Sequence, residues 1–311
     1  SMIGTAQALL GHGDATFAAL PRATPSLAGP LSLMALSPAE LMQQYPPAAG
    51  QSLIEGSFTR PAWQRFQRPA APTSQPQLAI LVTGLGLNKA LTAAAILYLP
   101  PDISLSFSPY APDLAAWIAT ARAHGHEILV DLPMESAAPQ DDPGSDGLRT
   151  GLKPSENSAR LARILERTPQ VVGVATSLGS RFLTDRSVLS PVLADLADRG
   201  LGIIEASPDP RLLVGELGTA ARQPRAKATL AIDEAKGRDD ILRDLTSTAD
   251  GLRGTSQNTG QNTGQNTGQN TAPALIVVAP SPLSLALIAS WCQQLSRQGL
   301  ALVPASNMLR Q

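Results

Sequence analysis

Beyond Pro76 the chain alternates short apolar runs with longer segments of helical period, punctuated by glycine and proline. The run Ala274-Leu-Ile-Val-Val-Ala279 shows why this constrains the fold. A strand with no polar face must be covered on both sides, as in a parallel sheet wrapped by helices. Parallel strands in turn need crossover connections, and the helical segments supply them. The pattern predicts strands over residues 78–83, 103–107, 127–131, 171–176, 202–205, 228–232, 275–279 and 301–303. Helices are predicted over 88–97, 112–124, 156–166, 187–198, 238–249 and 282–298. Seven or eight such units make an α/β fold of the (β/α) barrel kind.

Two stretches fall outside this rhythm. Residues 1–77 are rich in proline, alanine, serine and glycine, and read as an extended arm or linker with one or two short helices, near 6–10 and 31–42. Ser37-Pro38-Ala39-Glu40 gives the second helix a physical start, with serine placed to cap and proline at the first helical position. Residues 78–311 form the barrel domain. Within it, 251–272 breaks into copies of Gln-Asn-Thr-Gly, beginning at Gln257, with nothing apolar to bury. That stretch is expected to be a disordered surface loop between a helix and a strand.

With 43% hydrophobic residues among 311, the chain can bury a sizeable core. Its 24 basic and 25 acidic residues leave a net charge of −1, too little field to gather nucleic acid or an anionic membrane surface. Three Trp, three Tyr and five Phe give few stacking platforms for bases or sugar rings. The single cysteine, Cys292, rules out a disulfide within this sequence and lies in the apolar pattern Leu285, Ile288, Ala289, as a core residue would. No apolar run is long enough to span a bilayer, and no basic-then-apolar leader opens the chain. Ser1-Met2 reads as a cloning remnant, so an export signal is expected to have been trimmed.

Gly84-Leu-Gly86 follows the first strand but lacks the third glycine of a dinucleotide fingerprint, since Lys89 stands there. The order of motifs along the chain is more specific. LAILVTGLGL at Leu78 to Leu87 is followed by Phe107-Ser-Pro-Tyr110, Trp117, Gly125-His126-Glu127 and Leu132-Pro-Met-Glu135. Asp142-Pro-Gly144, Gly173-Val174, Gly179-Ser-Arg181-Phe182 and Arg199-Gly200-Leu201 come next. This succession resembles the divergent polysaccharide deacetylase family over Leu78 to Ser306. The resemblance implies an irregular (β/α)7-8 barrel of the polysaccharide deacetylase type, export to the periplasm or cell envelope, and a glycan-related role.

A carbohydrate deacetylase needs a metal ion to polarise the acetamide carbonyl and acidify water, plus a carboxylate base. In a (β/α) barrel such groups sit where strands end and loops begin. The resemblance places the family's acidic pair after the first strand on Thr83 and Gly84, and an imidazole after the fourth strand on Ser177, so the metal-site residues are degenerate. Thr83 can still hydrogen-bond a sugar hydroxyl, while Gly84 lets backbone approach a ligand or simply makes the turn. Asp131 and Glu135 remain after the third strand, four residues apart across Pro133 and on one side of an extended segment. They either hold a hard cation or, more blandly, cap a loop and pair with an arginine.

Other groups complete the inventory. Arg181 grips a carboxylate or sugar oxygen, or forms a buried ion pair with Glu205 or Asp131. Glu205 and Asp233 end later strands, and Tyr110 lies in the loop after the second. His124 and His126 stand at the far end of the barrel, His12 is in the arm, and no Gly-x-Ser-x-Gly elbow occurs, so serine hydrolysis lacks its parts. The candidate catalytic residues are therefore Asp131, Glu205 and Asp233. Candidate ligand-binding residues are Thr83, Gly84, Tyr110, Glu135, Ser177 and Arg181.

The leading reading is a catalytically silent, deacetylase-like domain that needs no cofactor and binds a glycan or a cell-wall-related protein. The alternative is a metal-dependent hydrolase in which Asp131 and Glu135 hold zinc, manganese or magnesium and Glu205 or Asp233 is the base. A third reading assigns partner recruitment to the proline-rich arm.

Overall fold

The computed structural model describes residues 33–258 and 272–311; the helix expected near 6–10 and the tract at 259–271 lie outside them. Strands β1 (Gln77–Leu85), β2 (Ser104–Phe107), β3 (Ile128–Met134), β4 (Gly173–Leu178) and β5 (Gly202–Glu205) pair in sequence order. With β6 (Arg225–Lys227), β7 (Leu230–Ile232) and β8 (Ala274–Val278) they form one parallel sheet ordered β6-β5-β4-β3-β2-β1-β8-β7. Strand β9 (Ala301–Leu302) also pairs with β1.

The two edge strands are neighbours in the chain. Ala228 N–H still donates to Glu205 O on β5, whereas the next amide, Thr229 N–H, donates to Leu275 O on β8. One continuous segment therefore changes partner between consecutive residues and joins both edges, curling the sheet into a barrel. The strand expected over 228–232 divides for this reason.

Side-chain alternation sorts the strands into two faces. Ala79, Leu81, Leu129, Ala175, Ile204 and Val277 pack together inside the barrel, with Val303, Met308 and Leu309 from the C-terminus and Trp63 and Phe66 from the arm. Ile80, Val82, Val130, Leu132, Ile203 and Ile276 instead meet the helices. These are α3 (Lys89–Tyr98), α4 (Leu114–Ala123), α5 (Pro154–Glu166), α6 (Arg186–Asp198), α7 (Val214–Ala220), α8 (Arg238–Asn258) and α9 (Pro282–Cys292).

From residue 33 the arm is strapped to the barrel. Helix α1 (Pro38–Gln44) starts at Ser37 with a reciprocal cap: the Ser37 hydroxyl accepts from Glu40 N–H and the Glu40 carboxylate from Ser37 N–H. Its Leu41 is fully buried in the main core. Helix α2 (Ala62–Arg65) follows, and its Arg65 lies over the Phe58 and Phe66 rings.

Helix α8 corrects the expected loop start at 251, because it runs on to Asn258. Ile241, Leu245, Ala249 and Leu252 lie along one buried stripe, so the apolar face outlasts the point at which polar composition suggested a break. Helix α7 escaped notice because Gly215 and Gly218 weaken its propensity. Strand β3 outruns its expected end at Asp131 and passes through Pro133 to Met134. Pairing with β2 stops at Val130, so Pro133 sits where a missing N–H is tolerated.

Candidate functional site

The inner face near the C-terminal ends of the strands is polar. Alternation from Ala79 and Leu81 brings Thr83 to this face, Leu129 brings Asp131, and Ala175 brings Ser177. Register sets Asp131 beside Ala175 and Pro133 beside Ser177. Strand β2 contributes Ser106, and Ser108 follows its end; both are buried.

Asp131 is the centre of this arrangement. Its Oδ1 accepts from the Ser106 hydroxyl at 2.6 Å and its Oδ2 from Gly84 N–H at 2.9 Å. Gly84 lies where the β1–β2 register breaks, with φ +69, and a Cβ there would meet only Pro280 Cδ at 4.0 Å. The glycine is thus favoured by backbone conformation and not by crowding, at an irregularity inside β1. The Asp131 carboxylate accepts the N–H of that irregular residue.

Burial pushes Asp131 up from the usual 3.8 to about 6, with the bonds from Ser106 and Gly84 opposing the shift. The folded protein therefore binds one proton more than the unfolded chain between those values, and stability falls as pH rises through that window. The difference amounts to about 3 kcal/mol above pH 6. Asp131→Asn removes the titration while leaving an acceptor for Gly84. Urea unfolding from pH 4 to 7 should show the wild type losing stability relative to the variant; a variant that is less stable at pH 7 than at pH 4, relative to wild type, would refute this.

Glu135 takes different partners. Its Oε2 accepts from Thr150 N–H at 2.6 Å and the Thr150 hydroxyl at 2.7 Å, and Oε1 lies 3.9 Å from Arg181 Nε. Burial acts to raise this carboxyl, but the Thr150 bonds and then Arg181 hold it below its usual range. Arg181 is exposed and pairs here, so the structure corrects the expected buried pair with Glu205 or Asp131.

The remaining candidates do not gather around Asp131. Glu205 follows the alternation of Ile203 and faces the helix layer; its Oε1 lies 3.0 Å from Lys227 Nζ and its Oε2 accepts from Val214 N–H. Burial raises it despite Lys227. Asp233 is exposed, its Oδ1 accepting from Ala235 and Lys236 N–H in a turn. Tyr110, 38% exposed, donates its hydroxyl to Pro143 O and accepts from Asp146 N–H, with its ring against Gly144. Thr83 and Ser177 are half-buried at the mouth. Leu87 and Leu178, which lie just beyond them in the chain, are 60% and 47% exposed, Leu178 with a left-handed φ of 56.

Among the described residues no three His, Cys, Asp or Glu side chains come together as metal ligands. Both described histidines are buried between carbonyls, His124 on Thr120 O and Tyr45 O, His126 on Ile103 O and Ile96 O. Burial lowers His126 to about 4, which keeps it neutral. Cys292 is likewise pushed up by burial and stays a thiol.

Sequence reasoning missed Ser106, Thr150 and Lys227, the groups that occupy these carboxylates. The alternation Ser104-x-Ser106-x-Ser108 in an otherwise apolar strand was the available signal, since it marks a polar inner face. No helix among the described residues is long and apolar enough to cross a membrane.

A family model described as divergent polysaccharide deacetylase matches residues 80–309. The crystal structure of an uncharacterised protein from Agrobacterium tumefaciens is similar, with TM-score 0.72 and 29% identity, covering 83% of this chain and 99% of that one. An uncharacterised protein of Haemophilus influenzae is 24% identical over 146 residues, 46% of this chain. The match spans about half the length of that relative, 51%.

Proposed function

The chain belongs to the divergent polysaccharide deacetylase family, and from that premise we propose that it is a cell-envelope binding domain that does not hydrolyse its ligand. Its barrel mouth takes a glycan, or a protein of cell-wall metabolism, between the Leu87 and Leu178 rim and the Thr83 and Ser177 floor. The observation that carries this reading is the commitment of Asp131 to Gly84 and Ser106 where a deacetylase would need free metal ligands. The residues present do not fit a metal ion: Glu135 is held by Thr150 and Arg181, Glu205 faces the helix layer, and Asp233 closes a turn.

The test is a paired measurement on the purified chain: acetate release from N-acetylated oligosaccharides with zinc, manganese or magnesium present, and calorimetric binding of the same oligosaccharides. No acetate, together with binding that Leu178→Glu weakens about tenfold, is the expected result. Metal-dependent acetate release lost in Asp131→Ala would overturn it.

A further inference from the structure

At the β6 edge of the sheet lies a cavity of about 220 Å³, bounded by α7 and lined by Glu205, Arg225, Lys227 and Arg310. Arg225 and Arg310 exchange both backbone bonds, each 2.9 Å, as an isolated antiparallel bridge. Such a pair sets two side chains directly opposite on one side, where like charges repel. Neither guanidinium has a carboxylate partner among the described residues. Arg225 donates to Gly215 O, Gln223 O and the Thr219 hydroxyl, and Arg310 to Asn307 O and Leu309 O, all neutral acceptors.

The one carboxylate in the lining is already taken. Glu205 is fully buried, with Lys227 Nζ 3.0 Å from one oxygen and Val214 N–H on the other. Three cations thus face the cavity against one engaged anion. Arg225 also has a prepared seat: a Cβ at Gly218 would overlap its Cδ, so a glycine in the middle of a helix makes room for this side chain. Two arginines set opposite each other with no carboxylate partner among the described residues repel, and an anion between them would relieve that repulsion.

We propose that this cavity binds an oxyanion, the carboxylate or phosphate group of a small acidic ligand, held by the guanidinium groups of Arg225 and Arg310 with Lys227 alongside. It is separate from the mouth and independent of the function proposed there.

The experiment titrates inorganic phosphate and, separately, acetate into the full chain at constant ionic strength set with chloride, followed by phosphorus and carbon NMR line widths. Arg310→Gln removes one charge at an exposed position, so folding is not at issue. Gly218→Ala keeps every charge and displaces Arg225. Saturable broadening of phosphate, weakened about tenfold in both variants, supports a phosphate site. The same pattern with acetate alone supports the same site for a carboxylate. No saturable response to either anion, or responses equal in wild type and Arg310→Gln, would overturn the proposal.

Discussion

Glu127→Ala should abolish most of the folded population at ordinary temperature. The carboxylate is fully buried at the N-terminal end of β3, and its four bonds draw together three remote parts of the chain. One oxygen accepts from the Ser104 hydroxyl and Ser306 N–H, both at 2.8 Å. The other accepts from the Ser306 hydroxyl at 2.7 Å and from Arg68 N–H at 3.0 Å. The arm, β2 and the C-terminal turn thus share one acceptor group. Truncation leaves two backbone amides and two hydroxyls without it, and each buried unsatisfied donor costs about 1–3 kcal/mol. The combined loss, about 4–12 kcal/mol, is comparable with the whole stability of a domain, about 5–15 kcal/mol. Glu127→Gln should lose less, because serine hydroxyls can turn to accept from the amide. Burial raises the Glu127 carboxyl against these bonds, so a loss below 1 kcal/mol in urea unfolding of Glu127→Ala would show that the network stabilises little.

Gly173→Ala should disrupt the β4–β5 pairing. Gly173 and Gly202 face each other across these strands, and a Cβ at 173 would collide with the Gly202 carbonyl oxygen while lying 2.6 Å from its carbon and 2.8 Å from its nitrogen. Backbone cannot rotate away as a side chain can, so the strands must separate, at a cost of about 3 kcal/mol or more. Two glycines provide contrast. A Cβ at Gly202 meets the Leu309 side chain, which can shift, and one at Gly151 meets nothing within 4 Å. Denaturant midpoints should therefore fall steeply for Gly173→Ala, moderately for Gly202→Ala and within about 0.5 kcal/mol of wild type for Gly151→Ala. Equal midpoints for the first and last would refute the close approach.

Much of the barrel was legible because periodicity reports burial directly. An apolar run such as 274–279 has one use in a soluble fold, and the Ser37-Pro38 start of α1 carries its own hydrogen-bond logic. Legibility failed where the local signal was weak or contradictory: α7 with its two glycines, the division of β6 from β7, and β3 continuing through Pro133. At the candidate site the sequence pointed to Asp131 and Glu135 and to the substituted positions Thr83, Gly84 and Ser177, but not to what each carboxylate touches. Glu205 ends β5 and Asp131 lies three residues before the end of β3, yet they face opposite layers, and no motif spacing states that difference.

The sequence by itself determined the family, the strand and helix periodicity, and the replacement of acidic or imidazole side chains by Thr83, Gly84 and Ser177. Each follows from residue identity or from spacing along a few turns. Only the tertiary structure decided where the carboxylates are engaged. Asp131 is bonded to groups 25 and 47 residues away, and Glu127 to Ser306 at 179 residues. Such partners meet because parallel strands pair through long crossovers, so the contacts are set by the closure of the sheet and leave no short-range trace in the chain.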